Sequence, residues 1–145
     1  GRIPLSVPYG EGTLPSFYNY HSTAHSKDYT DAFSLPIYSF GYGLSYTTFS
    51  ISDFSAASSG STDELSRTFT AGETIHFHVK VSNKGPLAGS YVAQVYLLQR
   101  VSTIVRAERQ LVAFKRVYLN ADESHEVGLD LQLDRYLPIV NRQYQ

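Results

Sequence analysis

The 145-residue sequence contains no cysteine, no methionine and no tryptophan. Without cysteine there can be no disulfide, no thiolate nucleophile and no Cys-ligated metal centre. A chain lacking methionine even at position 1 reads as processed, or as a piece of a longer one. Charge is scarce too: 17% of residues are charged, against roughly 25% in an average soluble domain. Twelve Lys plus Arg nearly cancel thirteen Asp plus Glu, leaving a formal net charge of -1. No global basic field is available to gather nucleic acid or an anionic membrane, so neither is expected as a partner. No apolar run approaches the roughly 18 residues of a membrane-spanning helix, and Gly1-Arg2-Ile3-Pro4 does not open a signal-peptide pattern. Asn19, Asn83, Asn120 and Asn141 all lack the Ser or Thr two residues on that N-glycosylation needs.

What is abundant is bulk: 42% hydrophobic residues, twelve Tyr and eight Phe. This composition disfavours disorder and favours strands. Within residues 1–45, Pro4, Pro8, Pro15 and Pro36, with Gly10, Gly12, Gly41 and Gly43, interrupt the backbone too often for a long helix or a central strand. The same stretch carries Leu5, Leu14, Phe17, Leu35, Ile37 and Phe40, too apolar for a solvated linker. It is expected to be an extended Pro/Gly/Tyr-rich arm that packs along another surface.

From Tyr46 the pattern turns to period two. Ile75, Phe77, Val79 and Val81 fall on one side of a strand, His76, His78, Lys80 and Ser82 on the other. Similar runs cover Tyr46 to Phe54, Tyr91 to Leu98, Gln110 to Leu119 and Glu126 to Leu133, with turn chemistry at Ala71-Gly72-Glu73, Asn83-Lys84-Gly85-Pro86 and Asn120-Ala121-Asp122-Glu123. The serine-rich Ser55 to Ser66 is expected as an exposed loop. These spacings predict an all-β protein, an antiparallel β-sandwich of immunoglobulin or fibronectin type III kind, over residues 46–145. A basic block, Arg100 to Arg116, is followed by an acidic one, Asp122 to Asp134, and neighbouring strands are expected to pair the opposite charges.

Chemistry is hard to place. Gly41-Tyr42-Gly43-Leu44-Ser45-Tyr46 has neither the third glycine of a dinucleotide fingerprint nor the G-x-S-x-G of a nucleophile elbow. His21 and His25 have helical spacing without the intervening Glu of a zinc motif. His76 and His78 share one strand face, with only His125 comparable, so no metal and no cofactor are expected. The carboxylates fall at turns and polar strand positions, and nothing marks a coupled pair. No catalytic residue is expected. Tyr18, Tyr20, Tyr29, Tyr38, Tyr42 and Tyr46 are dense enough to form a stacking platform for sugars, with core packing as the other reading.

Pro36-Ile37-Tyr38-Ser39-Phe40-Gly41-Tyr42-Gly43-Leu44-Ser45-Tyr46-Thr47-Thr48-Phe49 resembles the P-L-Y-x-F-G-Y-G-L-S-Y-T-x-F signature of glycoside hydrolase family 3, particularly β-glucosidases of fungal type. Gly1 to Pro8 resembles the strand that ends that family's α/β-sandwich domain. Val81-Ser82-Asn83-Lys84-Gly85 and Arg109 to Val117 resemble strands of its fibronectin type III-like domain, while the closing E-x-G-x-[FY] strand is not found. The resemblance implies a division into residues 1–45, the end of the α/β-sandwich domain plus a connecting arm, and 46–145, a fibronectin type III-like domain expected to lack its last strand. It further implies a secreted parent enzyme, a retaining β-glucosidase whose nucleophile and acid/base lie upstream, and an inactive accessory role for this chain. The partners it implies are the upstream catalytic domains and possible β-glucan or oligosaccharide. Phe40, Gly41, Tyr42, Gly43, Leu44, Ser45 and Tyr46 are then expected as a structural interdomain motif, the large side chains clamping and the glycines allowing close approach. A carbohydrate-binding module using surface tyrosines and a cell-surface adhesion sandwich are the alternatives.

Overall fold

The computed structural model describes residues 1–19, 21, 28–29, 32–33, 35–58, 69–70, 72–102 and 104–137. Among these are two 3₁₀ turns, Glu11–Thr13 and Leu133–Arg135, and no α-helix. The strands are β1 (Asp28–Tyr29), β2 (Ala32–Phe33), β3 (Phe49–Ser58), β4 (Thr74–Asn83), β5 (Gly89–Leu97), β6 (Gln110–Leu119) and β7 (Ser124–Gln132). The order β3-β4-β7 forms one antiparallel sheet, β5 pairs with β6, and β1 pairs with β2. The expected all-β sandwich is observed. Tyr20, His25 and Asn141, singled out in the sequence, lie outside the described residues.

Alternation sets the core. Ile75, Val79 and Val81 of β4 are buried, as are Val127, Leu129 and Leu131 of β7 and Val117 and Leu119 of β6; Ile75 lies beside Leu131 and Val79 beside Val127 in the sheet. The opposite side of β4 carries polar pairs in register with β7, Lys80 beside Glu126 and His76 beside Asp130, the latter with Nδ1 to Oδ1 at 2.6 Å. This corrects the expected pairing of the acidic block with the basic block. Strands β6 and β7 belong to different sheets, so the acids of β7 meet β4 instead. Lys115 donates to the Gly128 carbonyl and Arg116 to the Ser90 hydroxyl.

The start of the expected serine-rich loop is also corrected. β3 continues to Ser58, with Ser55 to Ser58 in register with His78 to Ile75 after a register shift between Ser52 and Ser55. At the shift Asp53 adopts φ 54°, the left-handed region used by one class of β-bulge. Ladder hydrogen bonds come from the main chain, so serines extend the strand that their side chains do not advertise. Residues 59–66 lie outside the described residues.

One polar side chain is sealed inside the sandwich. Asn83, at 0% exposure, accepts from the Thr47 hydroxyl at 2.6 Å and the Gly85 N–H at 3.1 Å. Its amide nitrogen donates to the carbonyls of Leu87 at 2.7 Å and Asn120 at 2.9 Å. Its own N–H reaches the Glu123 carbonyl at 2.8 Å. Gly85 must be glycine beside it, because a Cβ there would sit 2.2 Å from Thr47 Oγ1 and 2.8 Å from the Thr48 nitrogen.

The chain divides into two compact units, residues 1–45 with 94–111, and 46–93 with 112–145. The Asn83 knot and every fully buried apolar side chain among the described residues belong to the second. In the first, the arm closes on itself. Val7 N–H donates to the Tyr38 carbonyl (2.8 Å), Ile37 N–H to Val7 (2.9 Å), Gly41 N–H to Ile3 (2.9 Å) and Ile3 N–H to Tyr42 (2.9 Å). Prolines 4 and 8 offer no N–H of their own, which keeps this ladder sparse. Gly43 lies against Gly1, and a Cβ there would come 2.9 Å from the Gly1 carbonyl carbon.

Replacing Asn83 by Ala strands at least two carbonyls and two donors, and is expected to cost about 3–5 kcal/mol in urea denaturation. A loss below roughly 1 kcal/mol would contradict the knot. Gly43→Ala is expected to destabilise by about 1–3 kcal/mol through overlap with main-chain atoms; an unchanged thermal midpoint counts against it. The Glu73 carboxylate accepts from Ser58 Oγ (2.7 Å) and the Thr70 N–H (3.1 Å), which hold its pKa below the ordinary carboxylate value. A pKa lowered on folding contributes stability above the unfolded value and loses it as pH falls through the folded one. The midpoint difference between Glu73→Gln and the unaltered chain should therefore be largest near pH 7 and shrink below about pH 4; a gap independent of pH would refute this.

Candidate functional site: a braced cleft in the first unit

Each wall of the concave region in the first unit is held by a signature residue. Phe40 donates its N–H to Ser6 Oγ at 3.3 Å and stacks its ring on Tyr18, centroids 4.2 Å apart. Gly41, at φ 81°, occupies a conformation that favours glycine. A Cβ there would lie 2.5 Å from Tyr96 Oη and 2.7 Å from Gln94 Oε1, so its absence lets β5 side chains close on the arm. Tyr96 Oη donates to Gln94 Oε1 at 3.3 Å, and the Arg109 guanidinium lies over the Tyr96 ring, 5.8 Å from its centroid. Burial pushes the Tyr96 phenol pKa up, with Arg109 acting in the opposite direction.

Between these walls is a cleft of about 280 Å³, lined among others by Ser6, Phe17, Tyr18, Leu98, Glu108 and Arg109. Phe17 is 62% exposed. The cleft offers an aromatic face, hydroxyls, one carboxylate and one guanidinium. It can bind, but this set includes no base-activated nucleophile.

Elsewhere the sequence candidates separate. Tyr38 and Tyr42 lie together, centroids 4.8 Å apart and tilted by 36°, so they do not make a flat platform. Leu44 and Tyr46 are exposed, at 78% and 97%. His76 and Asp130 pair on an open sheet face opposite Ala57, which supplies no nucleophile. Among the described residues no three His, Cys, Asp or Glu side chains gather as metal ligands. Glu108, Arg109 and Phe17 were not linked by sequence reasoning. Their meeting depends on residues 94–111 folding back on the arm, for which no local pattern exists.

Residues 91–145 match the fibronectin type III-like domain family. Over 140 residues, 89% of the chain and 16% of the relative, the sequence is 35% identical to probable β-glucosidase I of Aspergillus terreus. It is 29% identical to the periplasmic β-glucosidase of Salmonella typhimurium, over 92% of the chain and 18% of that protein. Among solved structures, a β-glucosidase involved in saponin metabolism from intestinal bacteria superposes with a TM-score of 0.85 at 31% identity, covering all of this chain and 19% of that one. The β-glucosidase of Listeria innocua in complex with glucose gives 0.86 at 28%, covering all of this chain and 20% of that one. The chain thus spans between a sixth and a fifth of the length of these relatives. Residues 91–145 thus match a fibronectin type III-like domain, and about nine-tenths of the chain is similar to a stretch of β-glucosidases.

Proposed function

We propose that this chain is a non-catalytic accessory region of a secreted β-glucosidase that removes terminal β-D-glucosyl residues with retention. In this reading its first unit docks on, and stabilises, the catalytic domains of the parent protein. One observation carries it. Among the described residues the first unit buries no large apolar side chain completely, while Leu5, Leu14, Ile37 and Leu44 are all more than half exposed. Burying one such side chain is worth about 1.5–3 kcal/mol, so a surface with several is a docking surface. Leu44, in the signature, is the anchor of this contact. Two further observations support the reading: the likeness to β-glucosidases extends through the arm as well as the sandwich, and one relative is periplasmic.

In the intact parent enzyme, Leu44→Asp and Leu14→Asp should each lower the thermal midpoint by about 3 °C or more, since a side chain that stays in water tolerates Asp within about 0.5 kcal/mol. Midpoints unchanged for both would defeat the docking. The 145-residue chain alone should not hydrolyse an aryl β-glucoside. Turnover that co-elutes with it through purification would defeat the accessory reading.

A further inference from the structure

We propose that the outward face of β6 is a further docking surface, which receives a carboxylate flanked by apolar area from the rest of the parent protein. Along β6 the side chains of Val117 and Leu119 are buried, and strand alternation turns Phe114, Arg116 and Tyr118 to the other side. Phe114 is 68% exposed and Tyr118 65%, with Arg116 exposed between them. Single exposed rings are ordinary. Two rings flanking a guanidinium on one strand face have instead the composition of an interface, where aromatic residues and Arg are enriched.

Arg116 sets the chemistry of the occupant. Its Nη2 donates to the neutral Ser90 Oγ at 3.0 Å, and among the described residues no carboxylate pairs with it. That hydrogen bond steadies the guanidinium, and the other N–H groups of its planar fork suit a carboxylate bound through two parallel hydrogen bonds. A wholly apolar partner would bury the charge unpaired, which is costly. A second copy meeting this face about a two-fold axis would set guanidinium against guanidinium. The rest of the parent chain is the occupant that remains. This chain corresponds to 16% of one relative's length and 19% of another's, so most of such a protein lies outside it. Naming that occupant rests on the accessory reading, but the face belongs to the second unit and shares no residue with the contact assigned to the first.

The intact parent enzyme would be oxidised briefly with hydroxyl radicals and side-chain labelling read by mass spectrometry, each rate normalised to the same ring in the denatured enzyme. Phe54 of β3, 62% exposed, is the reference. Phe114 and Tyr118 should label at least about threefold more slowly than Phe54, although both are more exposed than it in the sandwich. Arg116→Glu places like charges at the contact and should bring both rings to within about twofold of the reference. Equal rates for the three rings in the unaltered enzyme would overturn the proposal, and so would protection that Arg116→Glu leaves undiminished. Protection lost on dilution, in step with a fall in mass by light scattering, would identify a second copy as the occupant and overturn it too. Unchanged midpoints for Leu14→Asp and Leu44→Asp would strike the docking of the first unit and leave this labelling pattern intact.

Discussion

The sandwich depends on the buried amide of Asn83. Three separate parts of the chain converge on it: the start of β3 through Thr47, the turn into β5 through Gly85 and Leu87, and the β6–β7 turn through Asn120 and Glu123. A buried amide is costly unless its donors and acceptors are satisfied. Here the penalty for misregistration becomes a source of specificity. Moving any one of the three segments by a residue would leave a polar group unpaired in a largely aliphatic core. Burial of aliphatic side chains, Val81, Leu119 and Val127 among them, supplies driving force, but such packing tolerates sliding far better than this hydrogen-bonded knot does.

Much of the sandwich was legible because strand alternation is local. Val79 and Val81 could be placed inside and His78 and Lys80 outside from sequence alone, and β4 and β7 follow that assignment. Two features escaped for physical reasons. Ser55 to Ser58 lengthen β3 through main-chain bonds that leave no mark in hydropathy. The acidic strand β7 adds beside β4 and not beside the basic β6, because sheet order is a property of the whole topology. The cleft was less legible still. Phe17 and Arg109 are 92 positions apart in the chain, and only the folding back of residues 94–111 brings both to one lining.

The contrast between the two units follows from where apolar area is spent. The second closes its core with its own side chains. The first is held mainly by main-chain bonds between residues 3–7 and 37–42, by ring stacking and by glycine-permitted close approaches. Such contacts define a shape but bury little area, and area is what stabilises a unit in isolation. A surface shaped in this way, with its leucines outward, is suited to receiving another surface.

Phe40 and Gly41 show how one short motif can serve both ends. The Phe40 main chain and ring fix Ser6 and Tyr18, and the bare α-carbon of Gly41 admits Tyr96, on which Arg109 lies. The apolar residues that follow, Leu44 and Tyr46, are left exposed. Inward-facing and outward-facing roles therefore separate along the motif: Phe40 and Gly41 organise the cleft, and Leu44 and Tyr46 are free to make contact elsewhere. A change at Gly41 disturbs the first role through φ and close approach, whereas a change at Leu44 removes exposed apolar area. This separation makes the two roles independent in free energy to the extent that substitutions without shared partners act additively.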